Sequence, residues 1–233
     1  MRRVLILVEG DTEERIVKDV LVPHLLDRGV VLQVTKVTTG RPIGAAPFKG
    51  GGDYTKIRGD LRRLLGDSNA VAVTTWFDFY GFPRNLPCAP GELQRIEAIE
   101  RRIHASLGDL PRLFPYLQRH ETEALLFIDP ALTARVALQA STASRIEAHR
   151  HGFASVEDIN LDPQGAPSKR LQSVLGNYAK PQLAPTVVQR LGVPRVREAC
   201  RRWALWVGWL ESLGHAEVGS ASRPPWWTEP GAI

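Results

Sequence analysis

Cysteine and long apolar runs are scarce in this sequence. Its 233 residues include two cysteines, Cys88 and Cys200, too few for a disulfide framework or a cysteine-rich zinc site, and this favours a reducing compartment. The longest late apolar run covers residues 203–210, far short of the ~20 residues that span a bilayer. The apolar residues 4–8 are followed at once by acidic residues, unlike the core of a signal peptide. We therefore expect a soluble, cytoplasmic protein that does not enter a membrane.

Lysine is also scarce, although the chain is basic. Six of the thirty basic side chains are lysines, so arginine carries most of the positive charge, and the formal net charge is +5. The planar guanidinium group suits phosphate and carboxylate, so an anionic partner fits this composition. An excess of positive charge of this size is common among soluble enzymes, however, and does not by itself identify the partner.

Three apolar runs rich in β-branched residues predict strands that are buried on both faces. They cover residues 4–8, 30–37 and 70–77, and amphipathic helical patterns separate them. A fourth strand is predicted over residues 112–118, at or near a sheet edge because it contains Pro115. This alternation of strands and helices is typical of an α/β fold with a parallel sheet.

Beyond residue 130 the pattern is helical, at about 130–149, 167–177, 183–191 and 194–213. We therefore predict an α/β domain over residues 1–129, with about four parallel strands flanked by helices, and a helical extension over residues 130–233 packed on it. Three tryptophans that recur every third residue are predicted to lie in the core or an interface: Trp203, Trp206 and Trp209. Four arginines are predicted to lie on solvated faces: Arg195, Arg197, Arg201 and Arg202.

Acidic residues follow the predicted strands. Glu9 comes after the first strand, Asp78 after the third, and Glu13 lies in the first turn of the first helix. His120, Glu121 and Glu123 follow the fourth strand. The carboxyl ends of parallel strands meet at one edge of a sheet, where open α/β folds bind ligands. Carboxylates gathered there repel one another unless a cation lies between them, and hard oxygen ligands suit Mg²⁺ or Mn²⁺. A metal–carboxylate site in an arginine-rich protein indicates phosphodiester chemistry.

Each acid also has a simpler interpretation. A lone glutamate after a strand is commonly a solvated turn residue, the acids at 11–14 suit the positive end of a helix, and Asp78 could cap the following loop. Their joint placement after three strands nevertheless favours a shared acidic site.

Two segments could contact phosphate. The glycine-rich residues 40–52 do not match the spacing of a P-loop, but Lys49 with three following glycines could cradle a backbone phosphate, or the segment could be a mere connection. Lys169 and Arg170 lie in the first turn of a predicted helix, where cations oppose the helix dipole unless an anion binds there.

Two motifs resemble the TOPRIM domain of topoisomerases, primases and nucleases of the overcoming-lysogenisation-defect type: VEGDTE at 8–13, and an aspartate after the third strand. More closely, the chain resembles the family catalogued as domain of unknown function 4276. The matching segments are VEGDTE, GGGDY (50–54), TTWFDFYGFP (74–83), PYLQRHETEALLF (115–127), EDIN (157–160), APSKRL (166–171) and VREACRRWALWVGWLESL (196–213).

The resemblance implies a TOPRIM-like fold, with Glu9 as its first acid and Asp78 as its second. TOPRIM domains usually carry Asp-x-Asp after the third strand, whereas here Tyr80 holds the second position. Glu13, Glu121 or Glu123 would then complete the metal site, with His120 as a proton shuttle or as a residue that orients a neighbouring glutamate. The expected nucleic-acid contacts are Lys49, Tyr80, Lys169 and Arg170.

The sequence thus predicts a Mg²⁺- or Mn²⁺-dependent nuclease acting on DNA or RNA. The family resemblance adds an effector role in a prokaryotic anti-phage pair with an ABC- or SMC-type ATPase. The alternative is a catalytically silent TOPRIM-like module that binds nucleic acid or the ATPase, and a purely structural subunit is a third option. The tryptophan-rich last helix and the Pro-Pro-Trp-Trp tail could serve a homo-oligomer interface.

Overall fold

A computed structural model describes residues 1–37, 53–89, 91–159 and 165–215. The predicted α/β class is confirmed, since the described residues form a parallel sheet of five strands flanked by helices. The strands are β1 (Arg2–Val8), β2 (Val30–Lys36), β3 (Ala70–Asp78), β4 (Leu113–Phe114) and β5 (Leu117–Gln118). Their order is β2-β1-β3-β4, and β5 also pairs with β3. β1 and β3 therefore lie side by side at the centre, with Val8 opposite Trp76.

The predicted fourth strand is divided in two at Pro115. β4 and β5 both pair in parallel with β3, and residues 115–116 separate them. Proline lacks the N–H that a continuous ladder needs. Threonine side chains of β3 replace the lost main-chain bonds: the Thr74 hydroxyl donates to the Phe114 carbonyl at 2.7 Å, and the Thr75 hydroxyl donates to the Tyr116 carbonyl at 2.8 Å. The sheet consequently has five strands rather than about four.

Helices cover both faces of the sheet. The first is a helical run in which a π-helical turn at Val17–Leu21 joins α1 (Asp11–Ile16) to α2 (Val22–Leu26). The others are α3 (Tyr54–Leu65), α4 (Ile96–Ser106), α5 (Pro130–Val136), α6 (Ala143–Arg150), α7 (Pro167–Leu175), α8 (Lys180–Ala199, kinked at Gly192) and α9 (Arg201–Ser212). Short 3₁₀ turns lie at Glu92–Gln94, Thr122–Phe127, Ala140–Thr142 and Val156–Asp158. Within the described ranges, none of these helices is both long and apolar enough to cross a membrane.

Two apolar cores form on opposite faces of the sheet because side chains alternate along each strand. On one face, Leu5 and Phe77 pack with α3 and α4. On the other face, Ile6 and Trp76 pack with residues of α1 and with helices from the C-terminal half, including Trp206. The segments before and after residue 129 therefore share a core.

The last helix confirms one prediction and corrects another. Trp203, Trp206 and Trp209 are at most 3% exposed, and the Trp206 ring stacks on Tyr116 with centroids 4.5 Å apart. Arg202 is not solvated as predicted: its side chain is 10% exposed and pairs with the buried Glu100. Residues 40–52 and the Pro-Pro-Trp-Trp tail lie outside the described residues.

Candidate active site at the carboxyl edge of the sheet

The two central strands bring Glu9 and Asp78 to the same edge. Glu9 comes directly after β1, and Asp78 is the last residue of the neighbouring parallel strand β3. The main chain of Asp78 forms a hydrogen bond with the Glu9 carboxylate. The loop after β3 passes close by, because a Cβ added at Gly81 would lie 3.5 Å from Glu9 Oε1. The predicted convergence of these two acids is present in the fold.

Glu13 and Glu123 join this edge from a helix and a 3₁₀ turn. Glu13 lies in the first turn of α1 and is 7% exposed, and its Oε2 accepts a hydrogen bond from the Gly10 N–H at 3.1 Å. Glu123 lies in the turn after β5 and is 4% exposed. Its Oε1 is 2.5 Å from the Lys180 ammonium nitrogen, at the start of α8. We call Glu9, Glu13, Asp78 and Glu123 the acidic cluster.

Thr122 fixes the orientation of Asp78. Its main-chain N–H and its hydroxyl both donate to Asp78 Oδ1, each at 2.8 Å. The same hydroxyl also lies within hydrogen-bonding reach of Glu13. Sequence reasoning did not single out this threonine, because its role depends on the turn that follows β5.

Burial and repulsion between carboxylates raise the pKa values of Glu9, Glu13 and Asp78. Burial, followed by repulsion from Glu13, raises the pKa of Glu9 to about 7, although the Asp78 main chain and Lys180 oppose the rise. Burial also raises the pKa of Glu13, and burial together with the three other acids raises that of Asp78 well above its usual range. Glu9, taken as a whole residue, is nevertheless exposed to solvent. Four carboxyl groups thus compete for protons or cations at one place.

His120 and Tyr80 border the acidic cluster. The main chain of His120 has φ 62°, a left-handed conformation that costs a non-glycine residue energy, and its carbonyl accepts from the Tyr80 N–H at 3.0 Å. Burial and the nearby Arg119 lower the pKa of His120 to about 4. The imidazole is therefore neutral near pH 7, so it can accept a proton but does not hold the extra proton of a general acid.

Glu121 is not part of the acidic cluster, because its carboxylate binds the start of α7. Its two carboxylate oxygens accept from the main-chain N–H of Ser168 at 2.8 Å and from the Ser168 hydroxyl at 3.0 Å. It therefore caps the N-terminus of α7, where a negative charge is favourable. The role that follows from these contacts is to hold α7 against the site.

The predicted phosphate contacts have different positions. Lys169 is exposed in the first turn of α7. Arg170 is half-buried: its Nε donates to the Gly165 carbonyl at 2.6 Å, and its guanidinium group lies 5.1 Å from the centre of the Phe153 ring. These contacts give Arg170 a packing role. Lys49 lies outside the described residues.

Lys180 is the site residue that sequence reasoning missed. The predicted helix begins at residue 183, so the sequence pattern did not place Lys180 in a first turn, where the helix dipole disfavours a cation. The structure starts α8 at Lys180. The partner of Lys180 could not be read from the sequence, because Glu123 lies 57 residues earlier and reaches it only through the fold.

A comparison with family models matches residues 8–211 to "Domain of unknown function (DUF4276)". The chain belongs to this family. No curated protein matches the chain, and no solved structure matches it. The family shares a domain without a defined activity, so the chemistry has to be argued from the acidic cluster itself.

The donor chemistry of this DUF4276 site suits a hard divalent cation. Carboxylate oxygens are the ligands that Mg²⁺ and Mn²⁺ prefer, and Lys180 offers one positive charge against four carboxyl groups. Among the described residues, however, no three His, Cys, Asp or Glu side chains are already arranged to hold a metal ion. Three of the acids instead bind groups of the protein: Gly10 binds Glu13, Thr122 binds Asp78, and Lys180 binds Glu123.

One buried polar atom near the acidic cluster lacks a hydrogen-bond partner among the described residues. The Tyr178 hydroxyl is inaccessible to solvent and has no hydrogen-bond partner within the described part of the chain. Burial, together with the negative charges of Glu123 and Glu121, raises the pKa of Tyr178. Buried hydroxyl groups are normally bonded to protein, water or ligand. A group bound beside Glu123 would give this hydroxyl a partner.

Proposed function

We propose that this chain is a divalent-metal-dependent nuclease that cleaves phosphodiester bonds of DNA or RNA. The observation that carries the proposal is the acidic cluster, in which the fold brings four carboxyl groups from three parts of the chain to one edge of the sheet, with raised pKa values for Glu9, Glu13 and Asp78. Such a cluster is unfavourable without protons or cations, and perturbed carboxylates of this kind are concentrated at functional sites. The basic composition of the chain supports an anionic substrate.

Glu9 and Asp78 would hold Mg²⁺ or Mn²⁺, with Glu13 and Glu123 completing the ligand set. When bound, the ion would favour deprotonation of water and neutralise charge on the phosphate. The residues of the chain orient the ligands: Thr122 holds Asp78, and the Gly10 N–H holds Glu13. His120, with a pKa lowered to about 4, is a weak base, so of its two predicted roles the orientation of a neighbouring glutamate fits better than that of a proton shuttle.

The basic groups at the mouth of the site would bind the phosphate backbone. Glu121 fixes α7 through Ser168 and so presents the exposed Lys169 at the start of that helix. Tyr80, in the loop after β3, would contact the nucleic acid beside Asp78. The role as effector of an anti-phage pair with an ABC- or SMC-type ATPase, and a homo-oligomer formed through the C-terminal segment, are further parts of the proposal that rest on the sequence.

Cleavage by isosteric variants tests the proposal. Glu9→Gln and Asp78→Asn keep side-chain shape but remove the negative charge, so each should lower Mn²⁺-dependent cleavage of DNA or RNA by ~100-fold or more. Asp11→Asn is the matched control. Asp11 lies two residues after Glu9, but its side chain is 66% exposed and pairs with Lys36. The assay should be run with and without any ABC- or SMC-type ATPase that is encoded beside this chain.

Two results would overturn the proposal. One is Mn²⁺-dependent cleavage by Glu9→Gln and Asp78→Asn at the rate of the parent protein. The other is failure of the parent protein to cleave either nucleic acid with Mn²⁺ under both conditions. Circular dichroism of each variant would show whether a loss of activity reflects a loss of folding.

A catalytically silent module that binds nucleic acid or the ATPase is the second candidate. Two observations favour it: Tyr80 replaces the second acid of the Asp-x-Asp pattern, and the acids of the cluster already have partners in the protein. Mn²⁺ titration separates the candidates. A silent module should show no Mn²⁺ binding that depends on Glu9 and Asp78, yet its affinity for nucleic acid should fall as salt rises.

A further inference from the structure

Lys180 occupies a position that a helix by itself disfavours. It is the first residue of α8, which runs as a continuous helix up to the kink at Gly192, and the positive end of the helix dipole repels its ammonium group. The start of α8 is fixed against α1, because Arg15 Nη1 donates to the Pro181 carbonyl at 2.7 Å. The Lys180 ammonium therefore lies beside Glu123. The first turn of α8 contains no acidic residue that would stabilise this charge.

The ion pair is asymmetric in its exposure. The Glu123 side chain is 6% exposed and the Lys180 side chain 49% exposed, with 2.5 Å between Glu123 Oε1 and the ammonium nitrogen. Glu123 cannot leave its buried position without disrupting the turn that also carries Thr122. Lysine has a long flexible stem and a strongly hydrated head, so it can move into water at little cost. Lys180 is thus the removable member of the pair.

A divalent cation in the acidic cluster would need the same oxygen. Thr122, next to Glu123 in the chain, donates to Asp78 at 2.8 Å from both its N–H and its hydroxyl, so a cation held by Asp78 would lie beside the turn that carries Glu123 and would compete with Lys180 for its carboxylate. Two cations at one carboxylate repel each other strongly where solvent is excluded. The Tyr178 hydroxyl, two residues before Lys180, is buried without a hydrogen-bond partner among the described residues, and a group bound here would supply one.

We propose that Lys180 is the built-in counter-cation of the acidic cluster and that a divalent metal ion must displace its ammonium group from Glu123. This inference rests on the proposed metal site and assigns to Lys180 a positioning role within it. The metal ion and the ammonium group compete for Glu123. When metal is scarce, Lys180 therefore neutralises part of the negative charge of the acidic cluster. When metal is present, Lys180 weakens the affinity of the cluster for the ion.

Mn²⁺ binding to the full chain, followed by electron paramagnetic resonance or calorimetry without any nucleic acid, tests this role. Lys180→Met should tighten Mn²⁺ binding by about tenfold, equivalent to about 1.4 kcal/mol, whereas Lys180→Arg, which keeps the charge, should bind within about threefold of the parent. Lys18→Met is the matched control. Lys18 is 55% exposed and pairs with Glu14 at 2.6 Å, so this variant loses the same charge from a similarly exposed lysine, and it should leave Mn²⁺ affinity unchanged.

The double variant Glu123→Gln/Lys180→Met identifies the contested oxygen. Since the competition is for Glu123, removing Lys180 should bring no gain in Mn²⁺ affinity once Glu123 is already Gln. If Lys180→Met and the parent bind Mn²⁺ equally, or if Lys18→Met gains as much as Lys180→Met, the role of Lys180 is refuted while the metal site stands. If no variant shows Mn²⁺ binding that depends on Glu9 and Asp78, the proposed function falls and this inference with it. Lys180→Gln provides the same comparison should Lys180→Met fail to fold.

Discussion

The buried ion pair between Arg202 and Glu100 is expected to be among the most sensitive positions of the fold. Arg202 Nη2 lies 2.5 Å from Glu100 Oε1, with exposures of 10% and 1% for the two side chains. Together they bind the main chain of β5: the Leu117 N–H donates to Glu100 at 2.8 Å, and Arg202 Nε donates to the Leu117 carbonyl at 3.3 Å. The pair therefore holds the short strand that precedes His120 and Thr122.

Arg202→Met should destabilise the protein by about 3–5 kcal/mol near pH 8, because it leaves Glu100 buried and charged with only a main-chain donor. Burial already raises the pKa of Glu100 against the opposing attraction of Arg202. Without the arginine this pKa rises further, so Glu100 binds a proton more readily. The loss of stability should therefore be smaller at pH 5 than at pH 8.

Urea unfolding followed by tryptophan fluorescence measures this loss, and urea is preferred because it does not screen charges. Glu100→Gln/Arg202→Met should be less destabilised than the sum of the single variants by about 2 kcal/mol or more. Arg195→Met is the matched control, since Arg195 forms an exposed pair with Glu198 on the preceding helix and its loss should not move the midpoint. A loss below about 1 kcal/mol for Arg202→Met, or additive single variants, would refute the reasoning.

Two further predictions concern the acidic cluster and a tight turn. The pKa of Glu9 is raised from 4.5 to about 7, and that of Asp78 is raised well above its usual value; the folded state thus keeps protons that the unfolded state has lost. Metal-free protein should lose stability as the pH rises from about 4.5 to 7, and Asp78→Asn should reduce that slope. A thermal midpoint that falls equally with pH in both proteins would contradict this. Gly214→Ala places a Cβ 1.9 Å from the Arg28 carbonyl oxygen and should cost about 1–3 kcal/mol in thermal unfolding. Gly59→Ala, with nothing within 4 Å of its added Cβ, should be neutral or stabilising by up to about 1 kcal/mol.

Local sequence patterns were enough to predict the architecture and the position of the two central acids of the site. Apolar runs of strand length with helical patterns between them permit few arrangements besides a parallel α/β sheet, and the carboxyl ends of β1 and β3 then meet at one edge. The convergence of Glu9 and Asp78 follows from this topology alone. Side chains alternate between the two faces of β3, so Trp76 and Phe77, which are adjacent, face opposite cores.

The sequence by itself thus determined the fold class, the family and the edge of the sheet where the acids gather. The tertiary structure decided which charged residues are partners. Lys180 reaches Glu123, Glu121 caps α7 through Ser168, and Arg202 is buried against Glu100. Strand and helix patterns depend on near neighbours in the chain, whereas the environment of a charge depends on whichever distant segments exclude water from it. For that reason Arg202, in a run of exposed arginines, could be recognised as a buried residue only once α9 was packed on the sheet.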